Sequence, residues 1–446
     1  MVNTNMRFST RTVPDEPNAI AVAEGIALRA GVSLRKLNDS NPTHHGLGPK
    51  MLGHGYDADP RGPRDAREAL ASFLSARGRH VGENRALPGA RSHRGTAVSG
   101  GMTEASAPEV SPERIYVLSS TSQAYSWLMK LLCDAGDAVL VPKPGYPLIE
   151  SIARLECVDA LSYPLHYDGS WTIDTAAIRE ALRRDTQGHI RALVLINPNN
   201  PTASYVGAHE RDTILSLCKE YDVALIADEV FFDYAFDDDS DRPGHEGEGS
   251  ATRRESSTVA GEGTQHRRFA GESSVLTFAL DGFSKLLAAP HAKVGWIQVS
   301  GPEDEVRQAL RRLDAIADDY LPMSSIIADA IPALIALADT QLAHVRSRVS
   351  TNLAVLRRLL DQDENGLVSL LRAEGGWNVL LRFPAVIDEN ELVLGLIHDH
   401  GVSAQPGYFF DMESNGYLAL SLLPEGEEFE RNVRDVLAEV QTLIDR

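Results

Sequence analysis

Lysine is scarce in this chain: 7 of 446 residues, at positions 36, 50, 130, 143, 219, 285 and 293. Cysteine is scarcer still. Cys133, Cys157 and Cys218 have no metal-like spacing and each lies in or beside an apolar stretch, so all three read as buried, reduced thiols. No apolar run approaches the length of a membrane span, and the opening MVNTNMRFSTRTVPDEPNAIA lacks the apolar centre of a signal peptide; the expected location is the cytoplasm. Positive charge is also in short supply. With 43 Lys and Arg against 63 Asp and Glu, the formal net charge is −20, a surface that repels phosphate backbones and anionic lipid. Neither nucleic acid nor membrane is therefore an expected partner, although a small local anion pocket remains compatible with the sum.

What is present points to a large globular protein. The length suggests two domains, and 43% hydrophobic with 24% charged residues is ordinary for a globular protein. Two stretches, about Gly78 to Pro112 and about Asp237 to Ser273, are rich in Gly, Ser and charge and poor in aliphatics, and read as flexible insertions. Elsewhere short apolar runs alternate with helical segments. Arg114–Leu118, Ala138–Val141, Ala192–Ile196, Val223–Ala227, Val275–Leu280 and Val294–Val299 read as strands, with helices over Ser122–Cys133 and Arg211–Tyr221. That alternation predicts an α/β fold with a mostly parallel sheet covered on both faces. After residue 301 the pattern changes: helices over Pro302–Leu313 and Met323–Leu360, short strands near Asn378–Phe383 and Tyr417–Leu422, and a closing amphipathic helix from Glu427 to Ile444. The expected division is a segment 1–50 packing with the small domain, a large domain over 51–300, and a small α+β domain over 301–446.

The polar motifs fall at the carboxyl ends of the expected strands, where ligands bind in such sheets. Lys285, in DGFSK, follows the buried run VLTFAL; a desolvated lysine there can carry a neutral, nucleophilic amine. Asp228 ends VALIAD, where a buried carboxylate needs a partner such as a pyridinium N–H. INPNNPT, Ile196–Thr202, forces a fixed turn that presents the Asn200 amide. SSTSQA, Ser119–Ala124, joins a strand to a helix whose first N–H groups suit a phosphate. PKPGYP places Tyr146 where it can stack on a flat ring. Each motif alone has a plainer reading: a solvated loop lysine, an N-cap aspartate or serine, a β-turn.

Taken together and in order, NPNNPT, ADEVF, FSK and PHAKVGW resemble the class I/II aminotransferases, the fold-type-I enzymes that use pyridoxal 5'-phosphate (PLP). The resemblance implies that Lys285 holds the cofactor as a Schiff base and moves protons. It implies that Asp228 faces the pyridine nitrogen, Asn200 the 3' oxygen and Tyr146 the ring face. Ser120, Thr121 and Ser122 would form the phosphate cup, and Tyr56 would reach the phosphate of the neighbouring subunit, which implies a homodimer. Asn41 and Trp377 would line the substrate pocket.

Four departures accompany this resemblance. Lys293 stands where the family usually has an arginine on the phosphate, Gly282 where a hydroxyl residue is common, and Phe231 where a tyrosine is usual. Ala419, in GYLALS, replaces the arginine that clamps a substrate carboxylate, and Asn41, backbone N–H groups or Arg382 are the candidate replacements. The implied function is amino-group transfer between an amino acid, or a related amine, and a 2-oxo acid. The alternatives are another PLP reaction, such as C–S/β-elimination or decarboxylation, and a non-catalytic PLP-binding sensor or scaffold.

Overall fold

A computed structural model describes residues 6–10, 26, 29–31, 58–80, 109–236 and 266–446. An eight-stranded sheet forms its centre: β1 (Ile115–Leu118), β2 (Ala138–Lys143), β3 (Asp159–Tyr167), β4 (Trp171–Ile173), β5 (Ile190–Ile196), β6 (Ala224–Asp228), β7 (Thr277–Gly282) and β8 (Gly295–Ser300). Their spatial order is β1-β8-β7-β6-β5-β2-β3-β4. The β2–β3, β2–β5, β5–β6 and β6–β7 pairs are parallel, whereas β8 runs antiparallel to both neighbours and β4 antiparallel to β3. Because β8 reverses direction between β7 and β1, β1 points the same way as the parallel strands. The ends of β1, β2, β5, β6 and β7 therefore converge on one edge of the sheet.

Every residue of β5, β6, β7 and β8 is buried, as expected for strands covered on both faces. One cover contains α1 (Arg64–His80), whose Leu70 is fully buried. Another is built by α2 (Thr121–Leu132) and α6 (Glu303–Tyr320), which bring Trp127, Leu128 and Leu313 against Phe278 and Ile297. α3 (Leu148–Leu155) follows β2, while α4 (Thr175–Arg184) and α5 (Ala208–Tyr221) pack Ile178 and Ile214 on the opposite side. The α2 start is capped by Ser120, whose Oγ accepts from Gln123 N at 3.2 Å.

A second sheet is antiparallel throughout: β9 (Ser369–Leu370), β10 (Asn378–Arg382), β11 (Gln405–Pro406) and β12 (Tyr417–Ser421), in the order β11-β12-β10-β9. It packs with α7 (Ala338–Gln362) and α8 (Gly426–Asp445) through Leu356, Val379, Leu381, Phe429 and Val433.

Three sequence expectations require correction. The single helix expected over Met323–Leu360 is three, Ser325–Ala328, Ile331–Ile335 and α7, and the second begins around Pro332, a residue that cannot donate within a helix. Cys157 is exposed, while Cys133 and Cys218 are buried; burial pushes the Cys218 thiol up to about 12. The margins of the two expected insertions are ordered structure: α1 runs to His80, a 3-10 turn occupies Pro112–Arg114, and Arg268 and Phe269 pack into the interior. The centres of both insertions, and Asn41 and Tyr56, lie outside the described residues. No single helix among the described residues is long and apolar enough to cross a membrane.

Candidate active site

The loops leaving the common sheet edge enclose a cavity of about 540 Å3, within the range of small-molecule sites. Ser120, Thr121, Ser122, Tyr146, Asn200, Asp228, Lys285, Lys293 and Trp377 all border it. Nine of the eleven sequence-derived site residues are thus gathered in one place, from segments spread over some 250 positions of chain.

Lys285 lies in a one-turn helix, Phe283–Leu286, directly after β7. Its Nζ sits 5.1 Å from the Phe231 ring centre and 5.0 Å from that of Trp377. Those two rings cover part of the side chain, and burial pushes the amine below the usual lysine range while Asp228 pulls it back up. The neutral form is favoured more than on an exposed lysine. Tyr234 holds this turn by donating its hydroxyl to the Lys285 carbonyl at 2.6 Å, and it packs edge-on against Trp377.

Asp228 closes β6. Its Oδ2 accepts the Tyr125 hydroxyl at 2.9 Å and its Oδ1 accepts Val230 N at 3.2 Å. Neither donor is charged. Burial pushes the carboxyl up to about 6, against the opposing pull of Tyr125, Val230 and Lys285. The group is an acid in need of a stronger donor. Tyr125 sits one helical turn inside α2, and no sequence motif marked it; its four-residue spacing from Thr121 on that helix was the available signal.

The α2 start comes close to the sheet because β8 begins with a glycine. A Cβ on Gly295 would lie 3.0 Å from both Ser120 C and Thr121 N. Its register partner across β7–β8 is Gly282, where a Cβ would lie 2.8 Å from the Val294 carbonyl oxygen. The absent hydroxyl at Gly282 thus has a steric reason in this chain. Lys293 adopts φ 52°, after a 3-10 turn over Pro290–Ala292, and brings a second cation to the cavity wall.

The Asn200 turn is held from within. Asn199 Nδ2 donates to the Pro144 carbonyl at 3.0 Å and to Thr202 Oγ1 at 2.9 Å. Asn200 Oδ1 accepts from Asn378 Nδ2 at 3.1 Å, which leaves the Asn200 Nδ2 as the donor end. Tyr146 is about half exposed at the cavity mouth. Sequence reasoning passed over Asn378 and Gln405, which also line the cavity, because each stands alone in an otherwise apolar segment. Arg382, one candidate for a carboxylate clamp, is exposed at the far end of β10 and does not border the cavity; the five-residue strand carries Asn378 to the site and Arg382 away from it.

Comparison with known proteins identifies the family. A family model described as aminotransferase class I and II matches residues 58–428. The chain belongs to the class I and II aminotransferase family. Among curated members, the glutamate-pyruvate aminotransferase AlaA of Haemophilus influenzae is 25% identical over 224 residues, 49% of this chain and 48% of that one. The aligned part thus spans about half the length of this relative. Among solved structures, an Escherichia coli aminotransferase superposes with a TM-score of 0.67 at 20% identity, covering 98% of this chain and 99% of that one. Cystalysin from Treponema denticola, whose crystal contains a pyridoxal 5'-phosphate cofactor, gives 0.65 at 15% identity with 98% and 93% covered. These structural likenesses establish the fold, a mixed, mostly parallel sheet with helices.

Proposed function

We propose that this protein is a PLP-dependent aminotransferase that moves an amino group between an amino acid, or a related amine, and a 2-oxo acid, with Lys285 as the cofactor anchor. The observation that carries this reading is the pairing of a partly buried Lys285 amine with the buried, cation-seeking Asp228 in one cavity. The residues fit the cofactor on chemical grounds. Asp228 would meet the ring N–H; the start of α2, with Ser120, Thr121 and Ser122, would take the phosphate together with Lys293; Asn200 Nδ2 would donate to the 3' oxygen; and Tyr146 would cover the ring. When bound, the cofactor supplies an electron sink for the pair left when the substrate's Cα–H bond breaks.

The chain's own groups do the rest. Lys285 Nζ, set against Phe231 and Trp377, takes the proton from the substrate's Cα and later returns a proton, acting as base and then acid. Asp228 stays ionised once a cationic donor faces it, and that charge opposes loss of the ring proton. Lys293 supplies charge without the two-pronged geometry of a guanidinium. This reading includes a homodimer in which Tyr56 reaches the neighbouring site, Asn41 at the substrate pocket, a cytoplasmic location, and a cofactor lobe over 51–300 with a smaller lobe over 301–446 completed by 1–50.

The test is an absorbance spectrum of the protein with PLP, before and after borohydride, beside Lys285→Ala. Expected is a near-ultraviolet to visible band in the wild type that borohydride abolishes with covalent retention of the cofactor, and no such retention in the variant. Alternate addition of amino acids and 2-oxo acids should shift the band back and forth. If wild type and Lys285→Ala behave alike, the reading fails. A second reading, elimination, draws support from Ala419 standing where a carboxylate clamp is expected. Ammonia release without any 2-oxo acid would favour it.

A further inference from the structure

Beyond the groups assigned to the cofactor, the polar side chains that the second sheet sends into the cavity are two amides, Asn378 from β10 and Gln405 from β11. Gln405 is the register partner of Ala419, so the two side chains leave the same face of the sheet as close neighbours. A methyl group at 419 leaves the space beside it open to the longer glutamine. Gln405 is exposed and makes no hydrogen bond to any described residue, so both its donor and its acceptor are available to a ligand in the cavity. Asn378 is committed through its Nδ2 to Asn200, and its own oxygen remains an acceptor. Apolar surface surrounds this pair: Phe409, Phe410, Leu423 and Leu148 line the same cavity.

An amide differs from a guanidinium in two ways that matter here. It accepts as well as donates, and it carries no charge to offset a buried carboxylate. The cations that border the cavity among the described residues are Lys285 and Lys293, both on the large-sheet side. We infer that Gln405, assisted by Asn378, reads the group that takes the place of the substrate carboxylate beside Ala419, and selects an uncharged group that both donates and accepts, a carboxamide above all, on an amine with an aromatic or apolar side chain. A carboxamide can answer Gln405 with two complementary hydrogen bonds. A carboxylate offers acceptors only and leaves the glutamine oxygen opposed. This rests on the amino-transfer reading for the identity of the reacting amine.

The test uses two unreactive probes with no amine, 3-phenylpropanamide and 3-phenylpropanoate, titrated calorimetrically into the cofactor-loaded wild type, Gln405→Ala and Gln405→Arg. Expected is an amide bound roughly tenfold or more tighter than the acid by the wild type. That preference should fall toward parity in Gln405→Ala and reverse in Gln405→Arg, with the cofactor's absorbance band unchanged in both. A wild type that binds the acid as tightly as the amide overturns the inference, as does an amide preference that survives in Gln405→Ala. The ratio is an equilibrium quantity, measured whether or not an amino group is ever transferred. Its failure is therefore distinct from that of the amino-transfer reading, which the Lys285→Ala spectrum decides.

Discussion

The Tyr125 hydroxyl donates to Asp228 Oδ2 at 2.9 Å inside the core, joining the first turns of α2 to the end of β6. It is the side-chain hydrogen bond that Asp228 makes among the described residues, and it lowers the acid against the upward push of burial. Tyr125→Phe removes it while keeping the ring. Hydrogen bonds to charged groups contribute on the order of 1.5–3 kcal/mol. PLP affinity, measured by absorbance titration at neutral pH, should weaken by roughly tenfold, since about 1.4 kcal/mol is a factor of ten. An unchanged dissociation constant would mean that Asp228 does not face the cofactor.

Asp228 also makes the cofactor-free protein sensitive to pH. Its folded-state value, about 6, is above that of an exposed aspartate. The folded protein therefore holds this proton more tightly than the unfolded chain. The stability so contributed is complete below about pH 4 and is lost as pH rises through about 6. Asp228→Asn does not titrate, so the cofactor-free variant should exceed the wild type in stability near pH 8 by up to about 3 kcal/mol, the worth of some two pH units. The gap should narrow toward pH 5. Urea unfolding at both values checks this, and a gap independent of pH would refute it. With PLP present the order should reverse, because the variant cannot meet the ring N–H with a charge.

The Trp377 ring lies 5.0 Å from Lys285 Nζ and contributes to the burial that lowers the amine. Trp377→Ala should let the amine return toward the ordinary lysine range, with a stability loss of about 3–5 kcal/mol typical for a buried Trp. The measurement is the pH dependence of trinitrobenzenesulfonate labelling at Lys285 in the cofactor-free protein, followed by peptide mass. The labelling midpoint should move upward in Trp377→Ala and far less in Trp377→Phe. Identical midpoints in all three proteins would show that the aromatic wall does not set the amine's protonation.

Gly295 tests the helix start as an anion site. Gly295→Ala places a methyl 3.0 Å from the Ser120 and Thr121 backbone, which must retreat. Overpacking of this kind costs about 1–3 kcal/mol. Affinity for PLP should fall tenfold or more, and affinity for pyridoxal, which lacks the phosphate, should change little. Equal losses for both would indicate that the cleft as a whole has been deformed.

The readable parts of this protein are those where one physical demand dominates a short window. β5 from Ala192 onward and β6 as far as Ala227 are apolar without interruption because both faces are covered, and ALVLI and VALIA announce them directly. Lys285, Asp228 and Asn200 stand at the ends of such runs, where polarity is conspicuous. β3 and β4 lie at the sheet's margin with mixed exposure, and the DALSYPLHY pattern carries no clear alternation, so they were passed over. β11 has two residues, too few for any period. Tyr125, Gln405 and Asn378 matter through neighbours distant in sequence; the Tyr125–Asp228 bond spans 103 positions and the Asn200–Asn378 bond spans 178. Such contacts have no local signature. The break near Pro332 was legible from the proline but was outweighed by the long apolar run around it.

The amide of Asn200 is a rigid plane with two ends in two places. Its oxygen is tethered to the second sheet through Asn378, and its nitrogen belongs to the strand-edge cavity. A plane cannot turn at one end only, so a sideways displacement of β10 would re-aim the donor that the cofactor's oxygen is proposed to use. Substrate-side contacts on the second sheet would then adjust the electronic state of the ring through a lever one side chain long.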